Sequence, residues 1–368
     1  MQMRSVAVFV ALMVMVSPVN ASPRATVVLD GLGVPWGMTW WDKQTVLITE
    51  RGGALLRWHQ PDNRLERVSG LPRVGVQGQG GLLDVRAYPP QHWQQGPAQW
   101  LYITYTKQVA DGFTTVLARA RLDKLQLQDW QDLLVTRAVS DGGRHFGSRI
   151  AFDQQGHVYF GVGDRGERDW AQDLTNHAGS VLRLKLDGSV PDDNPFVSRA
   201  GALPEIYSYG HRNPQGLVYD EQTGRLWLME HGPRGGDELN LVLPGRNYGW
   251  PVISYGKEYW APLAVGEATS KPGMEQPAYY YDPSIAPGSL LLYRGSRISA
   301  WQGSLLAGAL KLTHINQLKL HATQAKVLRE QRWFEDQRER VRSLLEDAAG
   351  RVYFGTDSGR IYLVDGAK

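Results

Sequence analysis

The stretch RVYFGTDSGRIYLV, residues 351–364, places two short runs of alternating apolar residues on either side of a turn that contains Gly359. Alternation with a period of two is typical of a β-strand with one buried face. Glycine is favoured where the chain must turn tightly. The stretch therefore predicts two β-strands joined by a short turn.

The same unit recurs along the chain, at starts about 45 to 80 residues apart. This spacing is typical of propeller blades with variable loops. The chain contains no obvious boundary between domains, and its Gly and Pro residues are spread throughout. The six instances are TVLITERGGALLRW (45–58), WLYITYTK with TTVLARARL (100–122), HVYFGVGDRG with GSVLRLKL (157–186), RLWLMEHGPRGGDELNLV (225–242), SLLAGALKLTHINQLKL (304–320) and RVYFGTDSGRIYLV (351–364).

A further apolar segment precedes each unit, and we interpret it as the innermost strand of the same blade. The charged stretch Ala325 to Glu339 is assigned to outer strand and loop. The sequence thus predicts an all-β protein, a six-bladed β-propeller of four-stranded antiparallel blades. The six inner segments are WGMTWW (36–41), GLLDVRAY (81–88), SRIAFD (148–153), QGLVYD (215–220), SLLLYRG (289–295) and VRSLLED (341–347).

The first residues have the parts of a secretory signal peptide. Arg4 precedes an apolar run from Val6 to Val16, and Val19-Asn20-Ala21 follows as a cleavage site. An apolar run of about eleven residues is too short to span a bilayer. We expect residues 1–21 to be cleaved near Ala21, residues 22–368 to form one catalytic propeller domain, and the product to be periplasmic without membrane insertion.

Composition excludes several classes of site and partner. The chain has no cysteine, which excludes disulfides, a lipoprotein anchor and a thiolate metal site. The 40 Lys and Arg residues fall to 39 when Arg4 leaves with the leader, against 37 Asp and Glu residues. This balance does not favour a nucleic-acid or membrane surface. We expect a small-molecule partner and no nucleic acid.

The inner strands of a propeller surround a central channel, so the residues that lead into them converge on one channel mouth. The residues at these places are polar, and His145 among them can exchange a proton near neutral pH. Such a cluster predicts a recognition or acid–base site. Its members are Gln79, His145, Arg212, Asn213, Arg340 and Arg342.

Several stretches together carry a resemblance to a known family: GQGGLLDV (78–85), HFGSRIAFD (145–153), SYGHRNPQG (208–216), GRLWLMEHGPRGGDELN (224–240), NYGWP (247–251) and GALK (308–311). Through them the chain resembles the soluble aldose sugar dehydrogenases that depend on pyrroloquinoline quinone (PQQ), relatives of soluble quinoprotein glucose dehydrogenase. The resemblance covers essentially the whole mature chain. It implies PQQ over the channel mouth, a catalytic calcium on the quinone and a second, structural calcium.

The resemblance also implies roles for three residues. His145 would be the general base that takes the proton of the sugar C1 hydroxyl while the hydride passes to the quinone C5. Asp164 would orient His145, and Arg212 would stabilise the oxyanion developing at C5. The alternatives are a histidine that caps a turn on a blade edge and an Asx turn of Asp164 before Gly166.

Further residues correspond to the cofactor contacts of the family. PQQ carries three carboxylates, which suit Arg and Lys partners. Side-chain alternation places Arg340 and Arg342 on one strand face, which favours a shared ligand; the alternative is a solvated, charged strand face. For Tyr259 the alternative is packing within an exposed loop. The contacts implied are Gln79, Arg212, Asn213, Tyr259, Ala309, Lys311, Arg340 and Arg342.

The calcium sites implied by the resemblance use few side chains. Main-chain carbonyls of Gly232 and Pro233 would bind the catalytic ion together with PQQ, and calcium accepts such oxygen ligands. Glu238 would supply a carboxylate, and Tyr248 a main-chain oxygen, to the structural ion. The alternative is a glycine turn with a surface carboxylate.

Two positions depart from the glucose enzyme of the family. Arg144 replaces the acidic residue before the catalytic histidine, and Asp169 replaces an amide five positions after Asp164. Both lie where sugar selectivity would be set. Together with shorter loops, they suggest broad use of aldoses.

Two other functions compete with sugar oxidation. A calcium-dependent propeller hydrolase, such as a lactonase, would need side-chain oxygens on a channel metal. A propeller that only binds a protein or a glycan would not need the cationic contact positions. For the dehydrogenase we expect an aldose substrate, a separate electron acceptor of unspecified identity, and a monomer or weak homodimer.

Overall fold

The computed structural model describes residues 23–89 and 99–366. These residues form 24 strands, arranged as six four-stranded sheets in which neighbouring strands are antiparallel. They contain no α-helix, and their helical turns are the short 3₁₀ segments Arg168–Gln172, Ser299–Trp301 and Glu335–Gln337. The predicted six-bladed β-propeller is confirmed.

Each blade takes its strands in chain order from the channel outwards, except the sixth, which borrows its outermost strand. The first blade contains β2 (Pro35–Trp40), β3 (Thr45–Glu50), β4 (Ala54–His59) and β5 (Arg64–Val68), and the second contains β6 (Leu82–Tyr88), β7 (Trp100–Val109), β8 (Gly112–Asp123) and β9 (Gln126–Val135). The third contains β10 (Ile150–Phe152), β11 (His157–Val162), β12 (Ser180–Lys185) and β13 (Ile206–Tyr209), and the fourth contains β14 (Pro214–Asp220), β15 (Arg225–Glu230), β16 (Asp237–Val242) and β17 (Tyr279–Tyr281). The fifth contains β18 (Pro287–Leu292), β19 (Ser304–Ala309), β20 (Ile315–Leu320) and β21 (Val327–Trp333). The sixth blade combines β22 (Val341–Glu346), β23 (Val352–Thr356), β24 (Ile361–Asp365) and β1 (Arg24–Leu29).

The borrowed strand closes the ring. Strand β1 pairs with β24, so that Arg24 lies opposite Asp365 and Val27 opposite Tyr362. The blade at one end of the sequence therefore depends on hydrogen bonds from the other end. The repeat pattern did not assign residues 24–29 to a blade, because their partner strand is far away in the sequence.

The apolar segments predicted as inner strands occupy that position. Strands β2, β6, β10, β14, β18 and β22 each form one edge of their sheet and contact one another around the axis. All six residues of β2 are buried, whereas the outer strand β5 is largely exposed. The core lies between neighbouring blades, where Leu47, Leu82 and Leu101 have no exposed surface. Complete burial of a leucine contributes about 1.5–3 kcal/mol.

Most inner strands begin with a β-bulge. The pairing register shifts between Pro35 and Gly37, and equivalent shifts occur at the start of β14, β18 and β22. Proline suits the first strand position because it has no N–H to donate to a ladder. Each bulge leaves one residue unpaired in the ladder. These residues are Trp36, Gln215, Gly288 and Arg342.

The charged stretch Ala325–Glu339 forms the outer strand β21 and a 3₁₀ turn, as predicted. Residues 1–21, predicted to be a cleaved signal peptide, lie outside the described residues. Within the described ranges, no helix is long and apolar enough to cross a membrane.

Candidate active site

His145 and Asp164 form a buried pair at the channel mouth. Their Nδ1 and Oδ1 atoms lie 2.6 Å apart, and their side chains are 10% and 1% exposed. Because a carboxylate only accepts hydrogen bonds, the imidazole proton lies on Nδ1 and Nε2 is left as a basic nitrogen. No residue within 23–89 or 99–366 hydrogen-bonds to this Nε2. The pair has the geometry of a general base and its orienting acid.

Two further bonds hold the carboxylate of Asp164. Gly166 donates its N–H to Oδ1 at 2.7 Å, and Trp250 donates its indole N–H to Oδ2 at 2.8 Å. Asp164 thus forms the Asx turn considered as an alternative and also contacts His145. Burial alone would raise the pKa of Asp164, but His145 and Arg212 hold it below its usual value. The carboxylate stays ionised.

The electrostatic surroundings favour neutral His145. Burial lowers the pKa of His145, and the charges of Arg212 and Arg144 lower it further, while the bond to Asp164 raises it. The net direction is downwards. The imidazole is therefore neutral at pH 7, the form that can accept a proton.

Gln79 fixes the backbone of the base. His145 has a left-handed φ of 52°, a conformation that costs of order 1 kcal/mol or more outside glycine. Its N–H donates to Gln79 Oε1 at 2.9 Å, and the Gln79 N–H donates to the Gly143 carbonyl at 2.8 Å. Gln79, predicted as a cofactor contact, therefore also holds the loop that carries His145.

Arg212 lies beside this pair, and it is 8% exposed. Its Nη1 donates to the carbonyls of Gly232 at 2.7 Å and His231 at 3.3 Å, and its guanidinium carbon lies 5.3 Å from the ring centroid of Trp250. In the described part of the chain, this guanidinium donates to no carboxylate. Its charge acts on the nearby Asp164 without a direct hydrogen bond between the two side chains, so its remaining N–H donors can bind an anion.

The Gly232–Pro233 turn is tightly folded. A Cβ atom at Gly232 would collide with the Gly236 carbonyl, and Gly236 itself has a φ of 69°. The carboxylate of Asp237 accepts the Gly232 N–H at 2.9 Å, and its other oxygen accepts the Ala286 N–H at 2.9 Å. Asp237 thereby joins this turn to the loop before β18.

Two acidic side chains lie next to this turn. Asn240 Nδ2 donates to both Glu230 Oε1 and Glu238 Oε2 at 3.1 Å. Burial and the neighbouring Glu230 charge raise the pKa of Glu238 to about 8. A cavity of about 10 Å³ lies between Glu230, Glu238, Tyr248 and the Gly232–Pro233 turn. That volume accommodates one particle the size of a water molecule.

Tyr248 lines this cavity, and its side chain is held by other contacts. Its hydroxyl donates to the Leu241 carbonyl at 2.5 Å and accepts the Leu243 N–H at 2.8 Å, and its ring stacks on His211. The side chain is therefore fully engaged. Its main-chain oxygen accepts no hydrogen bond from the described residues.

Arg340 and Arg342 share one acid on the other side of the mouth. Arg340 Nε donates to Asp357 Oδ2 at 2.9 Å, and Arg342 Nε donates to Asp357 Oδ1 at 2.8 Å. Burial would raise the pKa of Asp357, but the two arginines hold it below its usual value. Arg340 Nη1 also donates to the Leu310 carbonyl at 2.9 Å, which joins the arginines to the 309–311 loop. The two arginines, which we expected to share one ligand, thus already share one protein partner, Asp357.

The remaining predicted cofactor contacts differ in how far they are exposed to solvent. Ala309 and Asn213 are buried, whereas Lys311 is exposed. The Asn213 carbonyl oxygen of the side chain accepts the Gly147 N–H at 3.3 Å, next to the His145 loop. Tyr259 is 65% exposed. It follows Glu258, which forms a bidentate pair with Arg168 at 2.6 and 2.8 Å.

The two residues that depart from the glucose enzyme are both exposed. Arg144 precedes the base directly, and its main-chain carbonyl accepts a bond from Arg165. Asp169 lies in the first turn of the 3₁₀ segment Arg168–Gln172. Both are accessible to a molecule that approaches the mouth.

Sequence reasoning missed several residues of the site. NYGWP was recognised as a matching stretch, but only Tyr248 was taken from it and not Trp250. Asp357 was interpreted only as part of the turn in RVYFGTDSGRIYLV. Asp237 and Glu230 lie within the quoted stretch GRLWLMEHGPRGGDELN and had no assigned role. Acidic residues flanking a glycine-rich turn are the signal that could have found them.

Comparison with known proteins supports a family assignment. The family description "Glucose / Sorbosone dehydrogenase" matches residues 32–363. Aldose sugar dehydrogenase YliI of Escherichia coli K12 is 36% identical over 344 residues, which cover 92% of this chain and 91% of that protein. Quinoprotein glucose dehydrogenase B of Acinetobacter calcoaceticus is 27% identical over 380 residues, covering 81% and 77%.

A solved structure has the same architecture. The PQQ-bound aldose sugar dehydrogenase of Streptomyces coelicolor superimposes with a TM-score of 0.75 at 25% identity, covering 94% of this chain and 98% of that one. The family match spans nearly all of the described propeller. This protein therefore belongs to the glucose/sorbosone dehydrogenase family, among the relatives of the aldose sugar dehydrogenases and soluble quinoprotein glucose dehydrogenase.

Proposed function

We propose that this protein is a PQQ- and calcium-dependent aldose sugar dehydrogenase that converts aldoses to lactones at C1. The observation that carries the proposal is the neutral His145, held by Asp164 beside the guanidinium of Arg212, which hydrogen-bonds to carbonyls and to no carboxylate among the described residues. A base and a buried cation side by side suit a reaction in which a proton leaves one atom while negative charge develops nearby.

The residues at the mouth fit an anionic, planar cofactor such as PQQ. The cations assigned to the mouth are Arg212, Lys311, Arg340 and Arg342, and Asp357 pairs with the last two and balances one of their two charges. Together with Gln79, Asn213, Ala309 and Tyr259, these residues would hold the cofactor. When bound, PQQ accepts the hydride, and with it both electrons, from the sugar.

The steps assigned to the protein are binding, orientation and proton transfer. Nε2 of His145 accepts the proton of the C1 hydroxyl, so that the C1–O bond becomes the carbonyl of the lactone as the hydride leaves C1. Asp164 stabilises the imidazolium that results. General base catalysis of this kind contributes about 10²–10⁴-fold in rate.

Calcium fits the acidic cavity next to the mouth. Glu230 and Glu238 are adjacent carboxylates, and the raised pKa of Glu238 indicates that a positive charge is favoured there. Glu238 and the main-chain oxygen of Tyr248 would bind the structural ion. The carbonyls of Gly232 and Pro233 would bind the catalytic ion. The Gly232 carbonyl already accepts a hydrogen bond from Arg212, but a carbonyl oxygen has a second lone pair that could bind the cation. The described residues contain no cluster of three or more His, Asp or Glu side chains suited to a metal, and calcium accepts the main-chain oxygens that we assign to both sites.

The proposed enzyme is exported and needs a separate electron acceptor. Cleavage near Ala21 would release a periplasmic enzyme that passes electrons to a separate acceptor and acts as a monomer or weak homodimer. Intact-mass measurement on the exported protein tests the cleavage. A species that retains residues 1–21 would contradict it.

Reconstitution tests the activity. The purified protein is refolded with PQQ and calcium, and the visible spectrum is followed while an aldose is added. A dehydrogenase gives a bound quinone whose absorbance bleaches with the sugar. A hydrolase or a non-catalytic propeller gives no bleaching, and the wild-type protein without calcium is the matched control.

A further inference from the structure

Arg149 lies in the centre of the propeller, directly before β10, and is 2% exposed. An arginine carries five N–H donors in a planar fork. The three guanidinium nitrogens of Arg149 donate to acceptors in five other blades. These acceptors are Trp36 O at 2.9 Å, Asp84 Oδ1 at 3.3 Å, Gln215 O at 3.0 Å, Gly288 O and Arg342 O at 2.8 Å.

The main-chain acceptors share one structural origin. Trp36, Gln215, Gly288 and Arg342 are each the second residue of an inner strand and the extra residue of its β-bulge. A bulge removes its residue from the ladder, so the freed carbonyl requires another donor. Arg149 supplies that donor to all four blades at once.

The charge of Arg149 is compensated locally. Asp84 Oδ1 accepts from Arg149, and Asp84 Oδ2 accepts the neighbouring Ile150 N–H at 3.0 Å. The guanidinium carbon lies 3.8 Å from the ring centroid of Trp36. Burial lowers the pKa of Arg149 to about 9, whereas Asp84 raises it, so the group is charged at neutral pH. Lysine has fewer donors and no planar fork, and it cannot reproduce this set.

Three of the blades joined by Arg149 carry the parts of the candidate site. His145 lies four residues before it on the same segment. Gln215, whose carbonyl it binds, also donates from Nε2 to the Asn213 side-chain oxygen at 3.3 Å. Arg342, whose carbonyl it binds, has its side chain in the cation cluster with Asp357. The segments that carry the base, Asn213 and the cation cluster are thus all connected to one guanidinium, that of Arg149.

We propose that Arg149 is a positioning residue that fixes the distance between the His145–Asp164 pair and the Arg340–Arg342 cation cluster across the channel. The inference rests on the proposed function, in which one cofactor lies between these two groups. Misplacement of reacting groups by about 1 Å lowers rates by about 10²-fold. A residue that holds two halves of a site apart therefore affects both cofactor binding and the chemical step.

Arg149 also separates the site from the opposite end of the channel. A cavity of about 400 Å³ lies there, lined by residues from the far ends of the inner strands, including Trp40, Phe152, Leu292 and Leu345. The acceptors of Arg149 all lie near the starts of those strands. The guanidinium thus forms the floor of the candidate site.

The test compares Arg149→Lys with Arg183→Lys in the reconstituted full-length protein. Arg183 is another buried arginine, paired with Asp193 at 2.9 Å away from the channel mouth. Three quantities are measured: the PQQ dissociation constant from quenching of tryptophan fluorescence, the single-turnover rate of quinone bleaching by aldose, and the melting temperature. A purely structural role lowers the melting temperature in both variants without changing the first two quantities.

For Arg149→Lys we expect PQQ affinity and the bleaching rate each to fall about tenfold or more, with the KM for aldose little changed. Arg183→Lys should keep affinity and rate within about twofold of wild type, the scale of context-dependent variation. Wild-type values for both quantities in Arg149→Lys would overturn the inference. If Arg149→Lys does not fold, the same measurements are made on Trp36→Leu. This variant removes the ring that lies against the Arg149 guanidinium but keeps every hydrogen-bond acceptor of Arg149. It should lower affinity and rate in the same direction, and unchanged values would overturn the inference.

The wild-type control separates the two proposals. If wild-type protein neither binds PQQ nor bleaches with sugar, the proposed function fails. If wild type does both and the Arg149 variants match it, only the positioning role fails.

Discussion

Trp250 donates its indole N–H to Asp164 Oδ2 at 2.8 Å, on the carboxylate whose other oxygen contacts His145. The indole is 6% exposed and lies beside the guanidinium of Arg212. Three donors from separate segments therefore fix one carboxylate: the imidazole of His145, the N–H of Gly166 and the indole of Trp250. The orientation of the base depends on this arrangement.

Trp250→Phe keeps an aromatic six-membered ring and removes the indole N–H together with the five-membered ring that carries it. A hydrogen bond to a charged group contributes about 1.5–3 kcal/mol. We expect the single-turnover bleaching rate to fall about tenfold or more, because Asp164 is then less well oriented and stabilises the imidazolium less. The control is Trp58→Phe, which removes an indole bond to Asn63 at 2.8 Å in the first blade. Equal rates in the two variants would contradict the role of Trp250.

His145→Ala removes the base and leaves the cations of the mouth in place. We expect PQQ affinity close to wild type and a loss of about 10²-fold or more in kcat. Arg340→Ala should do the reverse and weaken PQQ binding first. Stopped-flow reduction of reconstituted enzyme by excess aldose measures the chemical step without an electron acceptor. Bleaching at the wild-type rate in His145→Ala would exclude His145 and make Asp164 the next candidate.

The pH dependence of the same step follows from the direction of the His145 shift. The pKa of His145 is lowered by burial and by Arg212, against the effect of Asp164. The base is active when deprotonated, so the rate is lost as pH falls through this lowered pKa. We expect the acid limb of the rate profile to lie below about pH 6.5, the ordinary value for histidine. An acid limb above that value would contradict the neutral imidazole.

Calcium should stabilise the protein through Glu238. An ion bound only by the native state adds about 2.7 kcal/mol at a hundredfold excess over Kd. In a chelator, Glu238→Gln should melt at or above the wild-type temperature, because it removes a carboxylate next to Glu230. With calcium, the variant should lack the increase that wild type gains. Glu267→Gln, on a surface pair with Lys271, is the control. A calcium-dependent increase of wild-type size in Glu238→Gln would place the ion elsewhere.

The sequence predicts the number of blades and the three inner strands of each because these depend on local patterns. RVYFGTDSGRIYLV and its five counterparts each form two neighbouring strands, and the apolar segments before them form the inner strands. Strand period and turn residues are properties of a few consecutive positions, so they can be recognised without knowing the rest of the fold. The resemblance named His145 and Asp164, and the structure brings these two into contact.

Only the tertiary structure decides which distant residues meet. Trp250 reaches Asp164 across 86 positions, and Arg149 reaches the Arg342 carbonyl across 193. Strand β1 completes a blade built from the opposite end of the chain. No local pattern encodes these partners, because closure of the ring and the bulges at the inner strands set which donors and acceptors face each other. Burial then makes each such bond obligatory, since a polar group removed from water must find a partner within the protein.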